Sequence, residues 1–424
     1  MSHGMGAITL SDGATWAIAA LATAGVIARP WKLPEWIWAV AGAIALVVFG
    51  LLPAPDALLG VRKGVDVYLF LIGMMLLAAI ARREGLFDWL AAWAARHAKG
   101  SATRLFALIY VVGIVVTTFL SNDATAVVLT PAVAAVAKAA KAKQPLPYLL
   151  ICAFIANAAS FVLPISNPAN LVIYGSHMPA LLVWLPRFAL PSVLSIGATY
   201  LVLRMTQRRG LNQEIAATVS VPTLSAGGKT AALGIVATAV LLMLASGLGL
   251  QLGAPTCAAG VATAALVLLR ERAAPWGVLR DVSWGVLLLV AGLFVLVEAL
   301  AATGALAELA RALHGFAQQS AAAAAWGTGI VLGIVCNLTN NLPAGLIAGR
   351  AVQAAGVGQA IGGAALIGVD LGPNLSVTGS LATILWLAAL RREGVEVSAW
   401  QFLKVGVLVM PPALVLALGA LLLT

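Results

Sequence analysis

Charge is what this chain has least of. Only 9% of its 424 residues are Asp, Glu, Lys or Arg, and 62% are hydrophobic. A soluble domain carries about 25% charged residues, so the composition excludes a soluble globule and indicates an integral membrane protein. Cysteine is limited to Cys152, Cys257 and Cys336, all in apolar stretches, and there are 4 His. Neither metal-ligand spacing nor a disulfide framework can be built from them. A Gly-x-x-x-x-Gly-Lys phosphate loop is missing, so energy from ATP would have to come from another chain. No nucleophile–base pair marks an enzyme, and no cofactor or metal is expected. The alternating pattern of an outer-membrane barrel is absent, and no loop is long enough to bury a core of its own. Residues 1–13 contain no basic n-region, so a cleaved signal peptide is not expected.

What the chain does have is long apolar runs. About 20 such residues cross a bilayer as a helix. The runs predict spans over 14–28, 36–53, 66–82, 147–176, 180–204, 229–247, 254–270, 285–302, 356–390 and 399–423. Two of these, 147–176 and 356–390, are too long and too interrupted by Gly and Pro for simple helices and read as broken helices. Segments 103–139 and 321–353 are each too short for two crossings and read as re-entrant hairpins. The expected fold class is an all-α polytopic membrane protein: an inverted-topology repeat of about ten spans, two re-entrant hairpins and two broken helices.

The net charge of +10 fits basic cytoplasmic loops meeting anionic headgroups rather than nucleic acid. With the N-terminus outside and alternating spans, every Lys and Arg falls on the cytoplasmic side except Arg62, Lys63, Arg187, Arg311 and Arg350. That bias predicts both termini outside, the first hairpin entering from the cytoplasm and the second from the opposite face. The expected location is the inner (cytoplasmic) membrane, in contact with lipid.

The two halves align at a near-constant spacing of about half the chain. Gly73 matches Gly292, and Gly85 at the start of an amphipathic segment matches Gly304. Ser121-Asn122-Asp123 matches Thr339-Asn340-Asn341. Asn157 matches Asp370, Ser166-Asn167 matches Gly379-Ser380, and Asn170 matches Thr383. Residues 1–205 read as the first repeat, 206–228 as a cytoplasmic linker, and 229–424 as the second repeat.

The matching segments hold polar groups where hydrocarbon is expected, and at that depth polar groups need a reason. Both hairpin tips and both breaks are expected to converge near the midplane. The substrate-binding candidates are Ser121, Asn122, Asn167, Asn170, Thr339, Asn340, Asn341, Asn374, Thr378 and Ser380. Asp123 and Asp370 are candidates for proton coupling, since burial favours the neutral form of a carboxyl group. Glu298, inside an apolar span, is a third; otherwise it snorkels or pairs. Plainer readings stand beside these. Asp123 and Asp370 fit N-caps, the asparagines fit caps of half-helices, and Pro343 fits a helix start. His177 and Arg350 lie near outer ends. Cys336 fits either a soft ligand for a metalloid or a buried small hydrophobe.

Ser-Asn-Asp-x-x-x-x-x-Leu-Thr-Pro (121–131), Asn-Asn-x-Pro (340–343) and Asp-Leu-Gly-Pro-Asn with Gly-Ser-Leu-Ala-Thr-x-Leu-Trp (370–386) resemble the ArsB arsenite efflux permeases of the ion transporter superfamily. The resemblance covers nearly the whole chain. It implies export of arsenite and antimonite by proton antiport, with optional pairing to a cytoplasmic ArsA-type ATPase. Arsenous acid is largely neutral at pH 7 and presents hydroxyls, which Asn amides and Ser or Thr hydroxyls can both donate to and accept from. The asparagine-rich tips are shared across the superfamily, so a sodium-coupled organic anion (dicarboxylate-type) carrier is the alternative. A membrane-embedded enzyme or a passive channel fits less of the pattern.

Overall fold

The computed structural model describes residues 9–424; residues 1–8, part of the stretch read as lacking a leader, lie outside the described residues. Helices α1 (Leu10–Ala28), α2 (Glu35–Val48), α3 (Ala54–Lys63), α4 (Val65–Arg83) and α5 (Leu86–Ala98) lead to a hairpin. Its arms are α6 (Ala102–Phe119) and α7 (Thr130–Ala139), the latter preceded by a π-helical turn, Ala124–Leu129. A broken helix follows, with halves α8 (Leu146–Ala158) and α9 (Pro168–Tyr174), and then α10 (Leu181–Thr206). The short α11 (Arg208–Leu211) lies in the linker.

The same succession then recurs. Its members are α12 (Ala226–Gly247), α13 (Gly253–Arg270), α14 (Trp276–Asp281), α15 (Trp284–Ala302), α16 (Ala305–Gln319), hairpin arms α17 (Ala321–Thr339) and α18 (Asn341–Ala355), half-helices α19 (Gln359–Leu371) and α20 (Leu381–Arg392), and α21 (Ala399–Leu421). No strand occurs among the described residues.

Among the described residues, 9 helices are long and apolar enough to cross a membrane. Seven coincide with expected spans. The other two are the first hairpin arms, α6 and α17, which reach crossing length on their own. The expected span 36–53 ends early, at Val48, because Gly50 turns the chain at φ +69 and Pro53 caps the next helix. The helices that follow, α3 and α14, are too short and too polar to register as spans. Both expected broken helices are interrupted where Pro164 and the Gly372-Pro373 pair fall.

The halves pack reciprocally: α2 lies on α15 as α13 lies on α4, and α3 lies on α15 as α14 lies on α4. Gly73 and Gly292 sit at equivalent crossings. A Cβ on Gly73 would strike the backbone of Thr256, and one on Gly292 the backbone of Ala39. Small residues let helix backbones approach this closely in a membrane. A second close crossing joins α17 to α19, where a Cβ on Gly368 or Gly372 would meet the carbonyls of Gly329 or Gly333. It carries Asp370 into the interior.

Each hairpin is clasped from both sides. Both arms of the first contact α5 and α8, and both arms of the second contact α16 and α19. The first tip is a true reversal, with the hydroxyls of Thr117 and Thr125 2.8 Å apart; eight residues along a continuous helix would separate them by about 12 Å. The linker straps the base of this hairpin. The amide of Ile215 donates to Gly100 O (3.3 Å) and that of Ala216 to Ala140 O (2.7 Å). The Gln213 side chain accepts from Lys143 N (2.7 Å) and donates to Gln144 O (3.2 Å).

Gly73→Val and Gly292→Val are each expected to destabilise the purified protein by about 1–3 kcal/mol through overpacking. Gly197→Val on α10, with no atom within 4 Å of the added Cβ, should stay within about 0.5 kcal/mol. Denaturation midpoints in detergent measure all three.

Candidate functional site

A helix that breaks in the interior frees carbonyls and amides that need partners. At the first break, Asn170 supplies them. Its Nδ2 donates to Ser160 O (2.9 Å) and Pro164 O (3.2 Å). Ser166 Oγ donates to Thr118 O on the first hairpin arm (3.1 Å), and Trp184 Nε1 to Phe161 O (3.1 Å). At the second break, Asn374 Nδ2 donates to Phe154 O across the halves (3.0 Å) and its Oδ1 accepts from Asn157 Nδ2 (3.0 Å). Asn337 Nδ2 donates to Gly372 O (3.1 Å), while Asn337 O accepts from Thr378 Oγ1 (2.8 Å). Ser376 Oγ donates to Asn337 Oδ1 (2.7 Å). Each break is thus tied by a hydroxyl to its own half's hairpin.

The tips are organised in the same way. Ser121 Oγ accepts from Ala124 N (3.3 Å), and Asn122 Oδ1 accepts from Asp123 N (2.9 Å). Asp123 itself makes no side-chain cap. In the second tip Asn340 adopts φ +72 and ψ 154, a backbone region that is otherwise nearly confined to glycine, and its Oδ1 accepts from Leu342 N (3.3 Å). Thr339 Oγ1 donates back to Val335 O (3.1 Å).

The four polar elements meet around one small cavity of about 10 Å³, lined by Asn122, Asp123, Asn167, Asn341 and Ser380 together with Leu71, Pro168, Val286, Leu342 and Leu381. That is room for about one water. The lining is two-fold in character. Asp123 and Asn341 are repeat-related, Asn167 and Ser380 are both extended N-cap residues that accept from the amide two residues on, and Leu71 and Val286 come from the equivalent helices α4 and α15. The N-termini of α18 and α20 both begin here, which favours oxygen-rich ligands. No Lys, Arg or His lines the cavity.

Asp370 lies just behind the lining, fully buried. Its Oδ1 accepts from Asn167 Nδ2 (2.8 Å), and its Oδ2 has no hydrogen-bond partner. It occupies the last turn of α19, where the helix dipole opposes an anion, so a cap reading does not fit. The sequence alignment sets Asp370 against Asn157; in space it meets Asn167, and Asn157 turns to Asn374.

The expected residues therefore divide. Asn122, Asp123, Asn167, Asn341 and Ser380 reach the cavity. Ser121, Asn170, Thr339, Asn340, Asn374 and Thr378 hold backbone and neighbouring side chains in place. Glu298 stands apart, paired with Lys63 (2.8 Å) and Arg350 (3.6 Å). Cys336 is buried and packs near Val369 O, outside the cavity lining. Asn337 and Ser376 went unrecognised, although Asn337 immediately precedes the second tip's Leu-Thr-Asn-Asn.

A wider space of about 480 Å³, bordered by Lys63, Asp66, Val67, Val172, Leu346 and Arg350 among others, begins one helical turn away. Val67, Val172 and Leu346 each lie four positions from the cavity residues Leu71, Pro168 and Leu342, on α4, α9 and α18. It includes Arg62, Lys63 and Arg350, three of the basic residues that the charge bias assigns to the outside.

The family model described as "Citrate transporter" (CitMHS) matches residues 18–369. The chain is 29% identical over 365 residues to the arsenical pump membrane protein of Yersinia enterocolitica, covering 82% of this chain and 84% of that one. The arsenical pump membrane protein of Escherichia coli K12 is equally similar over the same extent. An uncharacterized transporter of Mycobacterium tuberculosis is 25% identical over 397 residues, 89% of this chain and 91% of that one. The crystal structure of the Alcanivorax borkumensis YdaH transporter, described as having an unusual topology, shares the fold with a TM-score of 0.55 at 16% identity, over 87% of this chain and 86% of that one.

Asn374→Leu strips partners from Phe154 O and Asn157 and should destabilise the protein by about 2–4 kcal/mol. Asn341→Ala, buried at the cavity wall with no side-chain partner among the described residues to strip, should cost less, about 1 kcal/mol. Thermal unfolding in detergent separates the two classes.

Proposed function

This chain belongs to the citrate transporter family, and its likeness to arsenical pump membrane proteins bears out the ArsB resemblance; on that premise we propose that it exports arsenite and antimonite from the cytoplasm. The carrying observation is the cavity wall. It offers three amides, the Ser380 hydroxyl, the Asp123 carboxyl group and two helix N-termini but no cationic side chain. A di- or tricarboxylate would bring two or three charges into a buried site that has only helix N-termini and no cationic side chain to balance them, beside the Asp123 carboxyl group. Neutral arsenous acid brings only hydroxyls, each able to donate and accept.

Protons are the proposed coupling ion. Asp370, with one oxygen unpartnered, and Asp123, on the cavity wall, take up protons from outside in exchange for cargo from inside. The cavity is too small for the cargo as it stands, so loading requires the hairpin tips to part from the breaks. Alternating access by movement of the hairpin-bearing units does this, with the halves in inverted topology. The larger space beside Lys63 and Arg350 serves as the outer approach. Pairing with an ArsA-type ATPase is compatible with export, and the cytoplasmic membrane is the expected location.

Everted membrane vesicles test this reading. Arsenite uptake should follow an imposed pH gradient, acid inside, and Asp123→Asn and Asp370→Asn should each reduce gradient-driven uptake to background. Uptake that follows sodium, ignores pH and is competed by dicarboxylates would establish the organic anion carrier instead. In a strain lacking its own exporter, the wild-type chain should restore growth on arsenite and the Asp370→Asn variant should not.

A further inference from the structure

A second basic cleft lies away from the transport site. Arg204 lies in the last turn of α10, Arg208 and Arg209 begin α11, and with Thr103, Leu211 and Asn212 they line an open space of about 460 Å³. None of these three guanidinium groups has a carboxylate partner among the described residues. Gathered like charges without counter-ions attract an anion, and the forked guanidinium suits phosphate oxygens. Thr103 and Asn212 add polar groups to the same wall.

The neighbouring surface indicates the kind of anion. On α10, Val193, Leu201 and Met205 are exposed by 65%, 57% and 70%. Together with Gly197 they follow one another at four-residue spacing, so they form one stripe along the helix. The stripe runs directly into Arg204 and Arg208. An apolar track ending in basic side chains matches a lipid, whose acyl chain and phosphate sit in that order at a membrane surface.

We propose that the arginine cleft holds the phosphate of an anionic lipid from the leaflet facing the linker, with an acyl chain along the Val193–Leu201–Met205 stripe. The position gives the lipid a structural consequence. Leu211 and Asn212 immediately precede the strap that bonds to Gly100, Ala140 and Gln144, and Thr103 is in the first turn of α6. A phosphate in the cleft joins the end of α10 to the foot of the first hairpin.

Thermal unfolding of the full-length protein in an uncharged detergent tests this, with phosphatidylglycerol, phosphatidylcholine or inorganic phosphate added. Phosphatidylglycerol should raise the midpoint saturably and phosphatidylcholine should not. The triple variant Arg204→Gln, Arg208→Gln, Arg209→Gln should weaken the phosphatidylglycerol response roughly a hundredfold in concentration. The double variant Arg391→Gln, Arg392→Gln, on the same face by charge bias, should leave it unchanged. If the triple variant does not fold, Arg208→Gln alone should weaken the response roughly fivefold. An unaltered response in the arginine-cleft variants, or an equal loss in the Arg391/Arg392 variant, would overturn the site. Inorganic phosphate that gives the same shift and displaces phosphatidylglycerol would overturn the lipid as its occupant.

Discussion

A helix that stops inside an apolar slab leaves backbone groups that water does not reach, and each must find a partner in the protein itself. Most of the polar architecture follows from that constraint. The two breaks and two tips are held by Asn170, Asn337, Asn374, Ser121, Ser166 and Thr378, each spending its side chain on a carbonyl or amide. Asn167 and Ser380 cap half-helices and still face the cavity. The side-chain groups that remain at the centre are the amide nitrogen of Asn122, Asp123, Asn341 and the carboxyl group of Asp370.

The same constraint explains how much of the molecule was legible in its sequence. Membrane depth makes polar residues conspicuous, so both tips and both breaks stood out against their apolar surroundings. Close helix crossings demand glycine, and the Gly73 and Gly292 match marked one such pair of crossings. Which amide serves the backbone and which serves a ligand was not legible, because it depends on carbonyls brought near by tertiary packing. Asn374, for example, answers a carbonyl 220 positions earlier in the chain. Alignment of repeats identifies equivalent residues rather than touching ones, which is why Asp370 was set against Asn157 and meets Asn167. The partner of Glu298 is Lys63 on α3, a helix too short for hydropathy to reveal.

Duplication has not kept the halves alike. The first hairpin begins its second arm with a π-helical turn and has a strap across its base. The second is set against its half-helix by two facing pairs of glycines. Beyond the clasping helices that both share, one hairpin thus gains hydrogen bonds across its base, and the other close backbone packing against its half-helix.

The small volume at the centre bears on electrical insulation. A space for about one water cannot hold a continuous file of solvent at this point, and a proton crosses such a gap only through a side chain that can carry it. A membrane can hold many copies of a protein closed in this way without dissipating its voltage. The tight closure around Asn122, Asn167 and Asn341 is in that sense a seal, formed by the same residues that line the cavity.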